Sequence, residues 1–416
     1  MTHPRLPNLL YLVHRVPYPP DKGDRIRSFH VLRFLARRAN VSLACLADEP
    51  VPDATVSALR RHCRRLAIVP LGRWSRWLRG LGSFLRGRTI SEGVFLAPTL
   101  TTVLRGWTRG TSFDVSLASA SSLVGYLRME ELRCVPAVVD LIDVDSQKWL
   151  DYAAACRGPR AFLYCTEGRR LRRLEQSLAS WARAATLVST AEADLFRGFS
   201  PWDGIHAVTN GVDLDYFGPS HPPEIEDGCV FVGALDYRPN IDAACWFCRD
   251  IWPAIHRRRP DTRLRLVGRR PVPVVRSLGD LPGVDVIGQV ADVRPYLIQS
   301  AIAVVPLRIA RGMQNKVLEA LAMAKPVVAS PQALAGLSDQ PGLPALSAVS
   351  PEDWSHTILA LLADQARRRQ LGQAGRCYVE ENHAWERCLA PFAPLLGLDC
   401  EHVHSNREEI GASAAR

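Results

Sequence analysis

The chain has 416 residues, 47% hydrophobic and 23% charged, with 52 Lys and Arg against 42 Asp and Glu for a formal net charge of +10. That length exceeds what one hydrophobic core ordinarily serves, so two domains of roughly 200 residues are expected. The composition excludes a disordered chain, no apolar run approaches the roughly 18 residues of a spanning helix, and 11 cysteines without framework spacing argue for a reducing cytoplasm.

The sequence opens M-T-H-P-R and enters a predicted strand at Leu9–Val13 without the charged-then-apolar order of a signal peptide. A Pro-rich loop, His14–Gly23, leads to a helical stretch over Arg27–Arg38. Further short apolar runs follow at Val41–Leu46, Leu66–Val69, Val115–Ala118, Ala137–Leu141 and Thr186–Ser189. Asp213–Gly228, rich in Pro and Gly, reads as a join. A second series then runs through Val230–Gly233, Leu264–Val267, Val284–Ile287, Ala301–Val305 and Val327–Ala329. Strands alternating with helices in two blocks predict an α/β chain of two doubly wound parallel domains, 1–215 and 216–380. A C-terminal helix within 381–400 is expected to pack back on the first domain, and the polar tail 401–416 to be disordered.

Val305–Ser330 is the densest stretch chemically. A strand ends at Pro306, Gly312 permits a tight turn, and helix formers fill Lys316–Ala324 until Lys325-Pro326 closes the helix. A helix opening after a glycine turn offers N–H groups and positive dipole to an anion. Arg308, Arg311 and Lys316 add cations there. Glu319 is i+3 from Lys316 and i+4 from Asn315, so the three share a face. Cations for a diphosphate and a carboxylate for ribose hydroxyls suit a nucleotide sugar; the competing reading is an ordinary βαβ crossover on the surface.

Leu318-Glu319-Ala320-Leu321-Ala322-Met323-Ala324-Lys325-Pro326-Val327-Val328 resembles the second half of the donor motif, E-x7-E then L-E-A-M-A-x-G-x-P-V, of family 4 retaining GT-B glycosyltransferases. The chain departs from it at the first acid, which contacts the donor sugar in the family: Arg311 stands eight residues before Glu319. The resemblance implies the GT-B fold, two facing Rossmann-like domains with an interdomain cleft. Gly23 then sits where the family's glycine loop reaches the donor phosphates, with Asp24 in place of a second glycine. Thr209-Asn210-Gly211-Val212-Asp213 matches the entry to the second domain. Phe231-Val232-Gly233 followed by Asp236-Tyr237-Arg238-Pro239-Asn240 sits where that domain's first strand turns over the phosphates, Arg238 is the nearest candidate for the cation there, and Gly288-Gln289 begin the loop that reads the nucleobase. The segments V-P-Y-P-P-D-K-G-D, D-V-D-S and N-K-V-L-E-A are similar to a subgroup of bacterial exopolysaccharide- and exosortase-associated sugar transferases.

What the resemblance implies is transfer of a sugar with retention, by front-face attack without a protein nucleophile. Lys316, Arg308 and the amides near Gly312 stabilise the leaving diphosphate, and Glu319 holds the ribose. These cations replace a metal, so neither metal nor cofactor is expected. The partners are a nucleotide-diphosphate sugar and a glycan or polyprenyl-linked acceptor. His14, Asp143 and Asp145, near strand ends, are acceptor-side candidates. Asp143-Val144-Asp145 also has the D-x-D form that binds a divalent cation in single-domain transferases.

Other features have plainer readings. Cys245-Trp246-Phe247-Cys248 falls in a predicted helix, Ile241–Ile251, lacks a second pair at zinc spacing and is expected to be buried packing. Arg73–Arg88 joins five arginines to Trp74, Trp77, Leu78, Leu81 and Leu85 at helical spacing, as an interfacial helix does, although three glycines work against helix. It predicts a cytoplasmic protein at an anionic membrane surface; the alternative is a connector packing its aromatics inward. Arg169–Glu175 reads as the outer face of a long helix. A catalytically silent nucleotide-sugar binding protein shares the cradle, whereas a nucleic-acid binder explains the net charge but not Glu319, and no nucleic-acid motif occurs.

Overall fold

In a computed structural model, residues 5–21, 23–219, 228–310, 312–337 and 342–398 are described. Lys22, Arg311, residues 220–227 of the expected join and the tail at 401–416 lie outside them. The chain divides into two compact units: the described residues of Met1–Val208 with those of Leu389–Arg416, and Thr209–Cys388.

The first unit is a seven-stranded sheet built from β1 (Asn8–Val13), β2 (Asn40–Ala47), β3 (Arg65–Pro70), β4 (Val115–Ser119), β5 (Ala137–Ile142), β6 (Ala184–Leu187) and β7 (Ile205–Ala207). Its spatial order is β3-β2-β1-β4-β5-β6-β7, and every pairing is parallel. Helices cover both faces, so the central strands are buried and mostly apolar; all six residues of β1 are buried. Leu10 and Leu12 pack with Ala44, Leu46, Ala118 and Val139 against Leu100, Leu104, Leu127 and Phe196. At the heart of the sheet, Arg27 donates to both Asp140 oxygens at 2.8 Å, and Thr186 adds a third bond to that carboxylate at 2.8 Å. The C-terminal helix Phe392–Leu396 belongs to this unit, with Arg27 5.9 Å from the Phe392 ring centre.

The second unit holds six parallel strands: β8 (Cys229–Val232), β9 (Leu264–Val267), β10 (Val284–Gly288), β11 (Ile302–Val305), β12 (Val327–Ala329) and β13 (Ala345–Ser347). Their order is β10-β9-β8-β11-β12-β13. Trp252, Trp354 and Phe247 fill its core, with Trp354 edge-on to Phe247. Cys248 is buried and Cys245 half-buried in this packing, and dehydration pushes the Cys248 thiol up to about 12. Among the described residues no helix is long and apolar enough to cross a membrane.

Two details differ from the sequence expectation. The strand expected at Thr186–Ser189 lies two residues earlier, because the Ser189 hydroxyl accepts from the Glu192 amide and caps the helix Thr190–Arg197. The helix expected over Ile241–Ile251 ends at Trp246 and continues as a π turn over Phe247–Ile251. The short strands β7 and β13 carry too few residues for an apolar period to register.

Candidate functional site

In the second sheet, chain order reverses between the neighbours β8 and β11, and the crevice beyond their carboxyl ends is where such sheets take ligands. Gly233 follows β8. Beyond β11 the chain turns at Gly312, whose φ of +59° is the left-handed conformation that favours glycine, and enters the helix Asn315–Ala322. The turn lies against Gly336, where a Cβ would come within 2.3 Å of the Gly312 carbonyl oxygen.

Lys316, second residue of that helix, donates from Nζ to Asn240 Oδ1 at 2.6 Å. Asn240 is the third residue of the helix Arg238–Trp246, so this one bond brings two helix N-termini together. Among the described residues neither helix has a side-chain cap from its N-cap residue. Two helix N-termini beside an ammonium can hold an anion. The amide of Asn240 is oriented by its own donation to the Ala234 carbonyl at 2.9 Å, which turns its oxygen toward the lysine. The Phe231 ring centre lies 4.9 Å from Nζ, within cation–π range.

Dehydration governs both charged groups. Lys316 is lowered from 10.5 to about 8 by burial, with Glu319 opposing the change; Glu319 is raised from 4.5 to about 7 by burial, with Lys316 opposing. Both residues nevertheless keep some exposed surface. Both groups can therefore be reached by a ligand while the surrounding protein has displaced most of their water, so a ligand's charge acts on them at reduced dielectric.

Bare backbone lies beside this centre. The strands β8, β9 and β10 end in Val232-Gly233, Val267-Gly268 and Ile287-Gly288. Gly233 donates its amide to Val267 at 2.9 Å, and Gly268 donates to Gly288 at 2.8 Å. A Cβ on Gly268 would fall 1.7 Å from the Gly233 oxygen, and one on Gly233 would fall 3.0 Å from the lysine Nζ. Sequence reasoning singled out Gly288 and the turn from Gly233 to Asn240, but it missed Gly268 and the bond that joins Asn240 to Lys316. The repeated Val/Ile-Gly ending of three successive strands was the available signal for Gly268.

The buried Asn210 donates to Asn315 Oδ1 at 3.1 Å, while its carbonyl faces His383 Nδ1 at 3.1 Å. Gly211 admits the backbone of Trp385, where a Cβ would meet the Trp385 nitrogen at 2.7 Å. Asn210-Gly211 thus ties the first residue of the site helix to the C-terminal segment of the unit.

The remaining sequence candidates distribute unevenly. Arg308 forms a fork with Asp242 at 3.0 and 2.5 Å and lies over Trp246, so its guanidinium is engaged without a ligand. Arg238 is exposed at the start of its helix, Gln289 is exposed, Gly288 is buried with φ +77°, and Arg311 lies outside the described residues.

In the first unit the order reverses between β1 and β4. His14 and Arg15 follow β1, and Gly23 opens the helix Gly23–Ala36. Asp24 faces Arg15 at 2.9 Å and His14 at 3.4 Å; burial opposes its ionisation, but these two partners hold it well below the usual carboxylate range. Just after β4 and at the end of β5, Ala120 and Ile142 adopt φ of +96° and +71°, strain of the kind that gathers at functional mouths. Asp143, next to Ile142, is raised to about 6 by burial and by the Glu192 charge, and its buried Oδ1 has no hydrogen-bond partner among the described residues. Asp145 accepts from the Ser121 hydroxyl at 2.7 Å.

Residues 226–364 match the family described as glycosyl transferases group 1. No curated protein sequence gives a match. Among solved structures, sucrose-phosphate synthase of Thermosynechococcus elongatus superposes with a TM-score of 0.70 at 18% identity, covering 93% of this chain and 98% of its own. HepE of Anabaena, in complex with UDP and glucose, gives 0.67 at 15% identity over 94% and 99%. A point mutant of TarM of S. aureus, in complex with fondaparinux, alpha-GlcNAc-glycerol and UDP, gives 0.64 at 10% over 94% and 99%. The chain therefore has the GT-B fold, with a group 1 glycosyltransferase domain in its second half.

Proposed function

We propose that the protein transfers a sugar, with retention of configuration, from a nucleotide diphosphate to a glycan or polyprenyl-linked acceptor in bacterial exopolysaccharide synthesis, as a family 4 enzyme at the inner face of an anionic membrane. The observation that carries the reading is the Lys316–Asn240 bond at the switch point, where two helix N-termini and a dehydrated ammonium converge inside the group 1 domain. The donor diphosphate sits there. As the glycosidic bond breaks, charge grows on the leaving phosphate, and Lys316 with the nearby amides stabilises it before water can reorganise. An arriving dianion raises the lysine pKa from about 8, so binding is accompanied by proton uptake. Glu319 accepts from the ribose hydroxyls, and the nucleobase lies toward Gly288 and Gln289. Arg308 exchanges Asp242 for a phosphate oxygen when donor arrives. No metal or cofactor takes part. His14, Asp143 and Asp145 are the acceptor-side groups; the raised Asp143 carboxyl has the proton affinity of a general base.

Complexes of HepE and TarM with UDP support UDP-sugars as the first donors to try. The test is a thermal-shift screen of nucleoside diphosphates and nucleotide sugars, followed by a transfer assay with labelled donor. Stabilisation by one nucleotide together with label transfer supports the reading. Stabilisation without turnover selects the silent binding protein, a reading that Arg311 at the first-acid position favours. No stabilisation by any nucleotide overturns both.

A further inference from the structure

The helix Ser75–Leu85 is built inside out. Its buried residues are Gly80 and Ser83, while Trp74, Trp77, Leu78, Leu81 and Leu85 stand 78%, 58%, 71%, 56% and 76% exposed. A connector packing its aromatics on the domain would show the reverse. The inversion is enforced by the neighbouring helix Ile90–Phe95, which approaches so closely that a Cβ on Gly93 would lie 2.5 Å from the Arg79 carbonyl oxygen and 2.8 Å from the Gly80 Cα. Only a small-residue face fits there, so the large apolar side chains point outward.

The helix is also clamped in that orientation. Arg170, on the helix Pro159–Ser177, donates to the Phe84 and Arg88 carbonyls at 2.6 and 2.8 Å and lies 4.2 Å from the Phe84 ring centre. On the same helix, Glu167 accepts from the Ile90 and Ser91 amides at 2.7 and 2.9 Å. Leu163 shares the face of Glu167 and Arg170 by its spacing and is exposed, as is the adjacent Phe162. Arg73, Arg76, Arg79 and Arg86 have no carboxylate partner among the described residues, and no acid occurs between Arg73 and Ser91.

Exposed Trp and Leu flanked by the exposed Arg73 and Arg86, which have no carboxylate partner among the described residues, match a surface that is apolar below and anionic above, which is the headgroup boundary of an anionic bilayer. We infer that Trp74–Leu85, with Leu163 and Phe162 beside it, is a preformed bilayer-docking face that inserts its Trp and Leu side chains among acyl chains while its arginines meet anionic headgroups. The inference gives the membrane partner of the proposed function its place on the chain, and it is tested without donor or acceptor. A fixed helix docks with little ordering cost.

The experiment is co-sedimentation of the full chain with vesicles of phosphatidylcholine alone or with 30–40% phosphatidylglycerol (about that fraction, to reach a strongly negative surface), at low and high salt. Binding to the anionic vesicles alone, lost in high salt, is expected. Replacing the exposed Arg73 and Arg86 singly with Gln lowers vesicle affinity about fivefold each. The W74S/W77S/L81S variant loses binding while its thermal shift with nucleoside diphosphate stays that of the wild type, which separates this face from the donor site and checks the fold. Two results overturn the inference: wild type staying in the supernatant with anionic vesicles at low salt, or the triple variant binding as well as wild type. If wild type ignores vesicles but self-associates and the triple variant is monomeric, the face is an interface between copies and the inference is wrong.

Discussion

Replacing Lys316 with Met keeps the length of the side chain and deletes its ammonium. In the intact protein that ammonium donates to Asn240 at 2.6 Å, yet burial has lowered its pKa from 10.5 to about 8. At about 1.4 kcal/mol per unit, the fold disfavours this charge by roughly 3 kcal/mol. The charge-assisted bond to Asn240 returns about 1.5–3 kcal/mol, so the charge adds little or no net stability to the fold. We therefore expect Lys316→Met to melt at or above the wild-type temperature at pH 7 while transferring sugar about 30- to 1000-fold more slowly in kcat/KM, the loss of about 2–4 kcal/mol typical of a donor to developing negative charge. The linkage has a definite sign. The unfolded chain keeps the lysine proton up to about 10.5 and the folded chain releases it near 8, so the unfolded state binds more protons between these values. Wild-type stability should gain, relative to the variant, as pH rises through that window. Differential scanning fluorimetry at pH 7 and 9, beside a nucleoside-diphosphate release assay, reads both quantities. Transfer within about threefold of wild type in a folded variant refutes the role of the charge, and a large drop in melting temperature at pH 7 shows that the lysine is structural.

Four further outcomes follow from the same geometry. Calorimetry between pH 7 and 9.5 should show nucleoside-diphosphate affinity falling as pH rises above about 8, because the folded lysine loses its proton there, and this slope should vanish in Lys316→Met. Glu319→Gln should weaken the free diphosphate about tenfold or more, since a ribose hydroxyl bonds more strongly to a carboxylate than to an amide; unchanged affinity would remove Glu319 from the ribose. Gly268→Ala should destabilise the second unit and fail to restore on adding nucleotide, because its Cβ has only 1.7 Å to the Gly233 oxygen; a wild-type melting curve would contradict the close approach. Arg27→Met should cost about 3–5 kcal/mol in urea unfolding by stranding the Asp140 carboxylate in the first core, and a loss below about 1 kcal/mol would show that water reaches it.

Local pattern and chain order carried much of this protein. The strands β1 to β5 and β8 to β12 were legible as apolar runs between helices, since a strand buried on both faces needs no information from elsewhere in the chain. The glycine turn at Gly312 and the helix bearing Lys316 and Glu319 were legible for the same reason: φ preference, helix spacing and N-terminal dipole act within one turn. Tertiary structure decided what each side chain meets. Lys316 finds Asn240 76 residues away because β8 and β11 are neighbours at the switch point, an adjacency that no periodicity encodes. Arg308 read as a phosphate cation from its place after a strand, but Asp242, 66 residues earlier, holds it in the unliganded protein. The segment Arg73–Arg88 was ambiguous as sequence, because helical spacing places its Trp and Leu on one face without saying whether that face turns inward. The close approach of Gly93 to Gly80 settles it, since only the small-residue face can pass the neighbouring helix, and the aromatics are left on the outside.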